Sequence, residues 1–146
     1  MKAKTKDYSR CNLLALRQAS RQATQFYEAY FAKIGLRATQ FGILSRLEGG
    51  EMLSINELAQ SIVMDQATMG RALKPLQRDG YVSIGPGRDG RTRGLVLTKT
   101  GAAKLKEAWG AWREATAAFE ARVGGSETSA ALRSSLRQVV ASIGDR

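Results

Sequence analysis

Histidine is absent from this chain, and cysteine occurs only once, as Cys11. A structural or catalytic zinc site built from Cys and His within one chain is therefore excluded, because it needs several of these ligands. Serine and cysteine hydrolases that use a histidine base are excluded for the same reason. A lone cysteine also rules out an intramolecular disulfide. Since no other acid–base or metal-ligand constellation is present, we expect no enzymatic activity, no metal ion and no cofactor.

Long apolar runs are missing as well. No stretch approaches the length of a membrane span, and residues 1–7 (MKAKTKD) lead into mixed sequence without the apolar core of a signal peptide. We therefore expect a cytoplasmic protein that has no membrane partner.

Acidic residues are few relative to basic ones. The 146 residues include 23 Lys and Arg against 13 Asp and Glu, which gives a formal net charge of +10. A surplus of this size on a small chain favours an anionic partner, with nucleic acid ahead of an anionic membrane. The length fits a single domain, residues 1–146.

Helical periodicity is the main pattern that is present. Apolar residues at helical spacing predict a helix from Tyr8 to about Ala32 and a second one around Phe41 and Leu44. Further along, Thr98 is positioned to cap a long helix to about Val123, and Ser126 to cap a last helix.

The middle of the chain has the outline of a helix-turn-helix followed by a β-hairpin. Ser54 to Glu57 matches a capping box that begins a helix to about Ser61, and Asp65 is an N-cap for a helix from Gln66 to about Asp79. We expect this second helix to be kinked but continuous at Pro75, although a stop at Lys74 is the alternative. Strand-like runs at 81–84 and 94–97 flank a loop rich in glycine and charge. The predicted fold class is mainly α with a small β-hairpin, a winged helix-turn-helix at residues 54–98 with N- and C-terminal dimerisation helices at 8–34 and 99–146.

The second helix of the helix-turn-helix carries a polar and cationic outer face. Gln and Arg can make bidentate contacts to base edges in the major groove, while Thr and Lys suit phosphates. A solvated basic face is the alternative interpretation. The candidate residues are Gln66, Thr68, Arg71, Lys74 and Arg78.

Three arginines, Arg88, Arg91 and Arg93, lie in the hairpin loop. Arginine on an exposed tip is suited to the minor groove, where the negative potential is concentrated. Asp89 in the same loop could brace Arg91 or Arg78, and an arginine-rich turn without a partner is the alternative. The glycines at 85, 87 and 90 match a dinucleotide-binding fingerprint, but they lead into a strand and not a helix, so we reject that interpretation.

The terminal helices carry broad apolar stripes. The winged helix-turn-helix at 54–98, here called the reading head, has about 45 residues and is too small to cover all of this apolar surface. A two-fold dimer interface is the natural use, and it would present two reading heads to a palindromic site. A monomer whose helices pack on themselves is the alternative. Cys11, near the start of the first helix, is either an oxidation sensor or a small inert side chain.

Several stretches together resemble the MarR family of bacterial regulators over nearly the whole chain. The matching residues are 35–41 (GLRATQF), 58–59 (LA), 64–71 (MDQATMGR), 73–76 (LKPL), 79–80 (DG), Asp89, Arg91, 97–98 (LT) and Gly101. The resemblance implies a homodimer held by the first and last helices, which represses promoters with palindromic operators. It also implies base reading by Gln66, Thr68 and Arg71, phosphate contacts by Ser54, Lys74 and Arg78, and a minor-groove contact by Arg91.

The resemblance further implies release of DNA when a small phenolic or other aromatic anion enters a cleft between the dimerisation helices and the reading head. The cleft would lie near Phe26, Tyr30, Phe41 and Trp109, although core packing explains these aromatic residues equally well. One branch of the family senses peroxide through a cysteine on the first helix, and Cys11 lies about two residues, over half a helical turn, before that place.

From these patterns we expect a sequence-specific DNA-binding regulator, a repressor released from a palindromic operator by a small aromatic ligand. The alternatives are a redox-responsive regulator that senses peroxide through Cys11, and a sequence-blind architectural DNA binder.

Overall fold

Helices make up most of the chain in the computed structural model, which describes residues 7–144. Residues 1–6 and 145–146 of the predicted domain lie outside this range. The helices are α1 (Asn12–Phe31), α2 (Ala38–Arg46), α3 (Ile55–Ser61), α4 (Gln66–Arg78), α5 (Lys99–Val123) and α6 (Ser126–Ile143), and the strands are β1 (Leu53–Ser54), β2 (Val82–Pro86) and β3 (Arg93–Leu97). Short 3₁₀ turns at Tyr8–Arg10 and Ala32–Ile34 flank α1. The predicted mainly α fold with a small β-hairpin beside a helix-turn-helix is confirmed. No helix within residues 7–144 is long and apolar enough to cross a lipid bilayer.

Three of the predicted helix caps are present. The Ser54 hydroxyl accepts a hydrogen bond from the Glu57 amide at 3.0 Å, and the Ser54 amide donates to the Glu57 carboxylate at 2.8 Å. Asp65 accepts from the Thr68 amide at 2.8 Å, and the Thr98 hydroxyl accepts from the Gly101 amide at 2.9 Å. Each cap satisfies backbone donors that the first turn of a helix leaves without partners.

Helix α4 continues through Pro75 to Arg78, as predicted. The buried residues Met69, Leu73 and Leu76 anchor it to the core on both sides of the proline. This burial offsets the backbone hydrogen bond that proline cannot donate. The helix therefore presents an uninterrupted polar face.

The sheet has three antiparallel strands in the order β1-β3-β2, one more than the predicted hairpin. Strand β1 pairs Leu53 with Leu95 and Ser54 with Gly94. Because Ser54 is both the last residue of β1 and the cap of α3, the sheet and the helix-turn-helix are joined directly.

One core connects α1 and α5 to the helix-turn-helix. A close packing point is Gly101 in the first turn of α5, where a Cβ atom would collide with the Tyr81 carbonyl oxygen. This contact holds the start of α5 against the turn between α4 and β2, so the reading head and the long helix pack together. The fully buried large side chains are Phe31, Leu36, Ile43, Leu44, Leu47, Leu58, Met69, Leu73, Leu76, Leu95 and Leu105.

The predicted cap at Ser126 is wrong. Helix α6 already includes Ser126, and Gly125 occupies the N-cap position at φ 106°, without a side-chain cap. A positive φ is accessible to glycine at little cost, so the backbone makes the turn and the serine hydroxyl is not needed.

Candidate nucleic-acid interface

The first turn of α4 presents an ordered chain of polar side chains. The Thr68 hydroxyl donates to Asp65 at 2.7 Å, and the Arg71 guanidinium donates to the Thr68 hydroxyl at 3.2 Å. Hydrogen bonds from the Thr68 side chain and amide lower the pKa of Asp65 below its usual value, because they stabilise the charged carboxylate. Arg71 is thereby held beside the helix start with most of its donors free.

Gln66 is also held in place, by a residue of the preceding helix. Its side-chain Nε2 donates to the side-chain oxygen Oδ1 of Asn56 at 2.9 Å, which links the start of α4 to the start of α3. Asn56 is not among the contact residues that the sequence pattern predicts. Its place in the capping box Ser54 to Glu57 was the available signal, because it puts Asn56 in the first turn of α3.

Lys74 and Arg78 continue the cationic face along α4. Both are exposed, and Arg78 forms an ion pair with Asp79 at 3.2 Å. Lys74 forms no ion pair with the residues in the range 7–144. The polar face thus keeps a positive charge beyond its first turn.

The wing is the β2–β3 hairpin, and Asp89 organises its loop. The Asp89 carboxylate accepts hydrogen bonds from the amides of Arg91 and Thr92 and from the Thr92 hydroxyl, at 2.9 to 3.0 Å. The Thr92 and Arg91 amides lower the pKa of Asp89. Asp89 therefore braces the backbone at Arg91 and not its guanidinium, and the expected contact with Arg78 is not formed, since Arg78 pairs with Asp79.

The three wing arginines differ in their contacts. Arg88 donates to the Glu51 carboxylate at 3.2 Å and to the Met52 carbonyl at 3.1 Å. Arg91 and Arg93 are exposed, and their guanidinium groups make no hydrogen bond within the described part of the chain.

A groove of about 470 Å³ separates the wing from the helix-turn-helix. Ser54, Asn56 and Gln66 line one wall, and Arg88 and Arg93 line the other. The predicted contact residues therefore do not form one continuous patch: they lie on the outer face of α4, at the start of α3 and on the wing. Such an arrangement can place a helix in one groove of a duplex and basic side chains over the adjacent backbone.

The four aromatic residues of the predicted ligand cleft fall into two groups. Phe41 and Trp109 pack edge to face at 5.0 Å between ring centroids, against the core. Phe26 and Tyr30 line a separate pocket of about 380 Å³ with Lys33 and Arg122.

Two cations lie over the aromatic rings of this second group. Lys33 is 5.1 Å from the centre of the Tyr30 ring, and Arg122 is 5.4 Å from that of Phe26. Lys33 and Arg122 bring two positive charges to this pocket, which favours an anion.

Cys11 is half-buried at the junction between the first 3₁₀ turn and α1. It occupies the N-cap position of α1 without a side-chain cap. Within residues 7–144, no group of three or more His, Cys, Asp or Glu side chains could hold a metal ion.

The terminal helices expose apolar side chains. Leu132, Leu136 and Leu16 line a groove of about 980 Å³ between α1, α5 and α6. The exposed apolar side chains of these elements are Tyr8, Leu13, Leu14, Leu132, Leu136, Val139, Val140 and Ile143.

Both the sequence and the structure of the chain are similar to those of transcriptional regulators. The sequence profile of the MarR family matches residues 34–92. The M. tuberculosis transcriptional regulator MosR, whose structure is known in complex with DNA, is 32% identical in sequence to this chain. The two structures match with a TM-score of 0.76 over 89% of this chain and 96% of MosR.

More distant relatives agree with this match. Bordetella bronchiseptica BpsR, whose DNA binding is regulated by 6-hydroxynicotinic acid, shares the fold at 20% identity and a TM-score of 0.79, over 92% of this chain and 96% of BpsR. An HTH-type transcriptional regulator of Bacillus cereus is 27% identical over 95 residues, 65% of this chain and 63% of the relative. The chain therefore matches less than two thirds of that relative's length.

Proposed function

The chain belongs to the MarR family of transcriptional regulators, and on that basis we propose that it is a homodimeric repressor that binds a palindromic operator and releases it when a small aromatic anion binds. The family and the fold are those of transcription regulators and not of enzymes. The observation that carries the proposal is the polar start of α4, where Gln66 and Arg71 are held by Asn56 and Thr68.

The proposed DNA contacts follow from what each side chain is free to do. Gln66, Thr68 and Arg71 read base edges in the major groove, because side chains held before binding lose less conformational entropy on binding. Ser54, Lys74 and Arg78 contact phosphates. Arg91 enters the minor groove and Arg93 accompanies it along the backbone. The DNA complex of MosR supports a DNA partner for this fold.

We assign the dimer interface to the apolar surfaces of the terminal helices. Exposed apolar side chains line up on α6, where Leu132 is 41% exposed, Val140 54% and Ile143 72%. A second copy of the chain is the natural occupant, because two-fold pairing would cover this surface on both copies at once. In the proposed dimer, residues 54–98 form the reading head, and residues 8–34 and 99–146 form the dimerisation parts.

We assign the effector to the aromatic residues beside α1 and α5, and favour the pocket at Phe26 and Tyr30 over the packed pair Phe41 and Trp109. An aromatic carboxylate would pack against the ring edges, while Lys33 and Arg122, which lie over the ring faces, pair with its charge. The regulation of BpsR by 6-hydroxynicotinic acid supports this class of ligand.

Selection of bound sequences from a random duplex library tests the proposed function. We expect a dyad-symmetric consensus, and Arg91→Ala should weaken binding to it by about 1–3 kcal/mol. Arg46→Ala, an exposed arginine at the end of α2, is the matched control and should bind as the wild type does. Recovery of no consensus would favour a sequence-blind architectural protein.

Addition of aromatic acids to the complex with the selected duplex tests the effector assignment. Release by benzoate or 6-hydroxynicotinic acid should be lost in Arg122→Ala. Release by peroxide, and not by aromatic acids, would instead favour a redox function of Cys11.

A further inference from the structure

Arg88 is the one wing arginine whose guanidinium is engaged by the protein itself, within the described part of the chain. Its Nη2 lies 3.2 Å from the Glu51 carboxylate and 3.1 Å from the Met52 carbonyl oxygen. Arg91, three residues further on, makes no such contact among residues 7–144. Arginines in one loop therefore have different roles available to them.

The acceptors of Arg88 lie at a junction of the fold. Glu51 and Met52 immediately precede β1, which pairs with β3 and ends at the cap of α3. A link from the wing to this segment is thus a link from the wing to the helix-turn-helix.

The loop that carries Arg88 is internally stiff. The Gly87 amide donates to the Thr92 carbonyl at 2.7 Å, and Asp89 accepts hydrogen bonds from Arg91 and Thr92 inside the same turn. A Cβ atom on Gly87 would lie 2.8 Å from the Thr92 carbonyl oxygen, so the two sides of the loop are in direct contact. Because the loop is stiff, holding it at Arg88 sets the direction of the whole tip.

We infer that Arg88 and Glu51 form a brace that fixes the wing relative to α3 and α4, so that Arg88 is a positioning residue and DNA contact is left to Arg91 and Arg93. The inference rests on the proposed function. If Arg88 left Glu51 to bind a phosphate, the negative charge of the Glu51 carboxylate would remain unneutralised beside the DNA. The resulting repulsion would cancel much of the gain.

Salt-dependent binding to the duplex recovered by selection separates a brace from a phosphate contact. The brace predicts that Arg88→Ala and Glu51→Ala each weaken binding by about two- to fivefold, the range for an exposed ion pair. It also predicts that the double variant is no weaker than either single one. The slope of log K against log salt should stay at its wild-type value in all three variants. Lys74→Ala is the control, because Lys74 is assigned to a phosphate and forms no ion pair with the described residues, and its slope should fall by about 0.9.

A phosphate contact by Arg88 predicts results of opposite sign and would overturn the inference. Arg88→Ala would then lower the salt slope as Lys74→Ala does, and Glu51→Ala would strengthen binding by removing a negative charge near the DNA.

Hydrogen exchange of the wing amides without DNA gives a readout that does not depend on the proposed function. Exchange should be faster in Arg88→Ala and in Glu51→Ala, and should return toward the wild-type rate when Glu51→Arg is combined with Arg88→Glu. Unchanged exchange in both single variants would refute the brace. If the wild type bound no duplex but this exchange pattern appeared, the proposed function would fail while the brace would stand.

Discussion

At the scale of single residues, Val63 adopts a backbone conformation that its side chain disfavours. It lies in the turn between α3 and α4 with φ 54°, the one non-glycine residue at positive φ within residues 7–144. Its side chain is 75% exposed, so burial of that side chain does little to offset the free-energy cost of the backbone conformation. For an L-residue the left-handed conformation costs about 1–2 kcal/mol, and a β-branched side chain suits it least.

We therefore expect Val63→Asn to raise the free energy of unfolding by about 1 kcal/mol, because asparagine tolerates the left-handed region. Urea denaturation at a fixed protein concentration measures the effect, with the slope of the transition unchanged. Val63→Ala is the control, since alanine also disfavours the left-handed region and lacks the short polar side chain with which asparagine tolerates it. Equal stability of the Asn and Ala variants would show that the turn is not strained.

Contacts between single residues far apart in sequence are where sequence-based prediction reaches its limit. Asn56 and Gln66 are 10 residues apart, and Glu51 and Arg88 are 37 apart. The residue types indicated a polar reading face and a basic loop, but the choice of partner depends on how α3, α4 and the wing are placed in space. For this reason the residue types alone do not show that the guanidinium of Arg88 has a partner within residues 7–144 and that of Arg91 has none there.

At the scale of elements, helix boundaries that depend on local chemistry were predicted well. The caps at Ser54, Asp65 and Thr98 each need one polar side chain and an amide three residues later. Strand β1 was missed because two residues form a strand only by pairing with β3, which is about 40 residues away. The error at Ser126 arose because Gly125 supplies the turn by its backbone alone.

The coupling between α3 and α4 makes a prediction about DNA reading. If Asn56 acts by orienting Gln66, Asn56→Ala and Gln66→Ala should each weaken binding to the selected duplex, by up to about 1–3 kcal/mol for Gln66. The double variant should be no weaker than Gln66→Ala, which a double-mutant cycle on binding affinities measures.

Gln60→Ala is the control for this cycle, because Gln60 is exposed on the same helix and makes no side-chain hydrogen bond to the described residues. Additive losses for Asn56 and Gln66 would instead mean that the two residues contact the DNA independently.

At the scale of the whole molecule, the terminal helices α1 and α6 carry exposed apolar surface that the reading head does not cover. Val140 lies on this surface of α6 and is 54% exposed. We expect Val140→Asp to dissociate the proposed dimer without unfolding the chain, because a charge in an interface must be desolvated while one on a free surface need not be. Analytical ultracentrifugation measures the mass, and circular dichroism the helix content.

Ser134→Asp is the matched control, since Ser134 is exposed and lies at the helical spacing opposite the apolar stripe of α6. It should leave the dimer intact. A wild-type protein that sediments as a monomer would contradict the assigned use of the terminal helices.

The central claim, that two copies of this reading head recognise one DNA sequence, is tested most directly by fluorescence anisotropy with two duplexes. One carries the selected sequence, and the other has the same base composition in scrambled order. At physiological salt we predict that one dimer binds the selected duplex about 10³-fold more tightly, or better, than the scrambled one. Equal affinities for the two duplexes would contradict sequence-specific recognition and leave only non-specific attraction between a chain of net charge +10 and the DNA backbone.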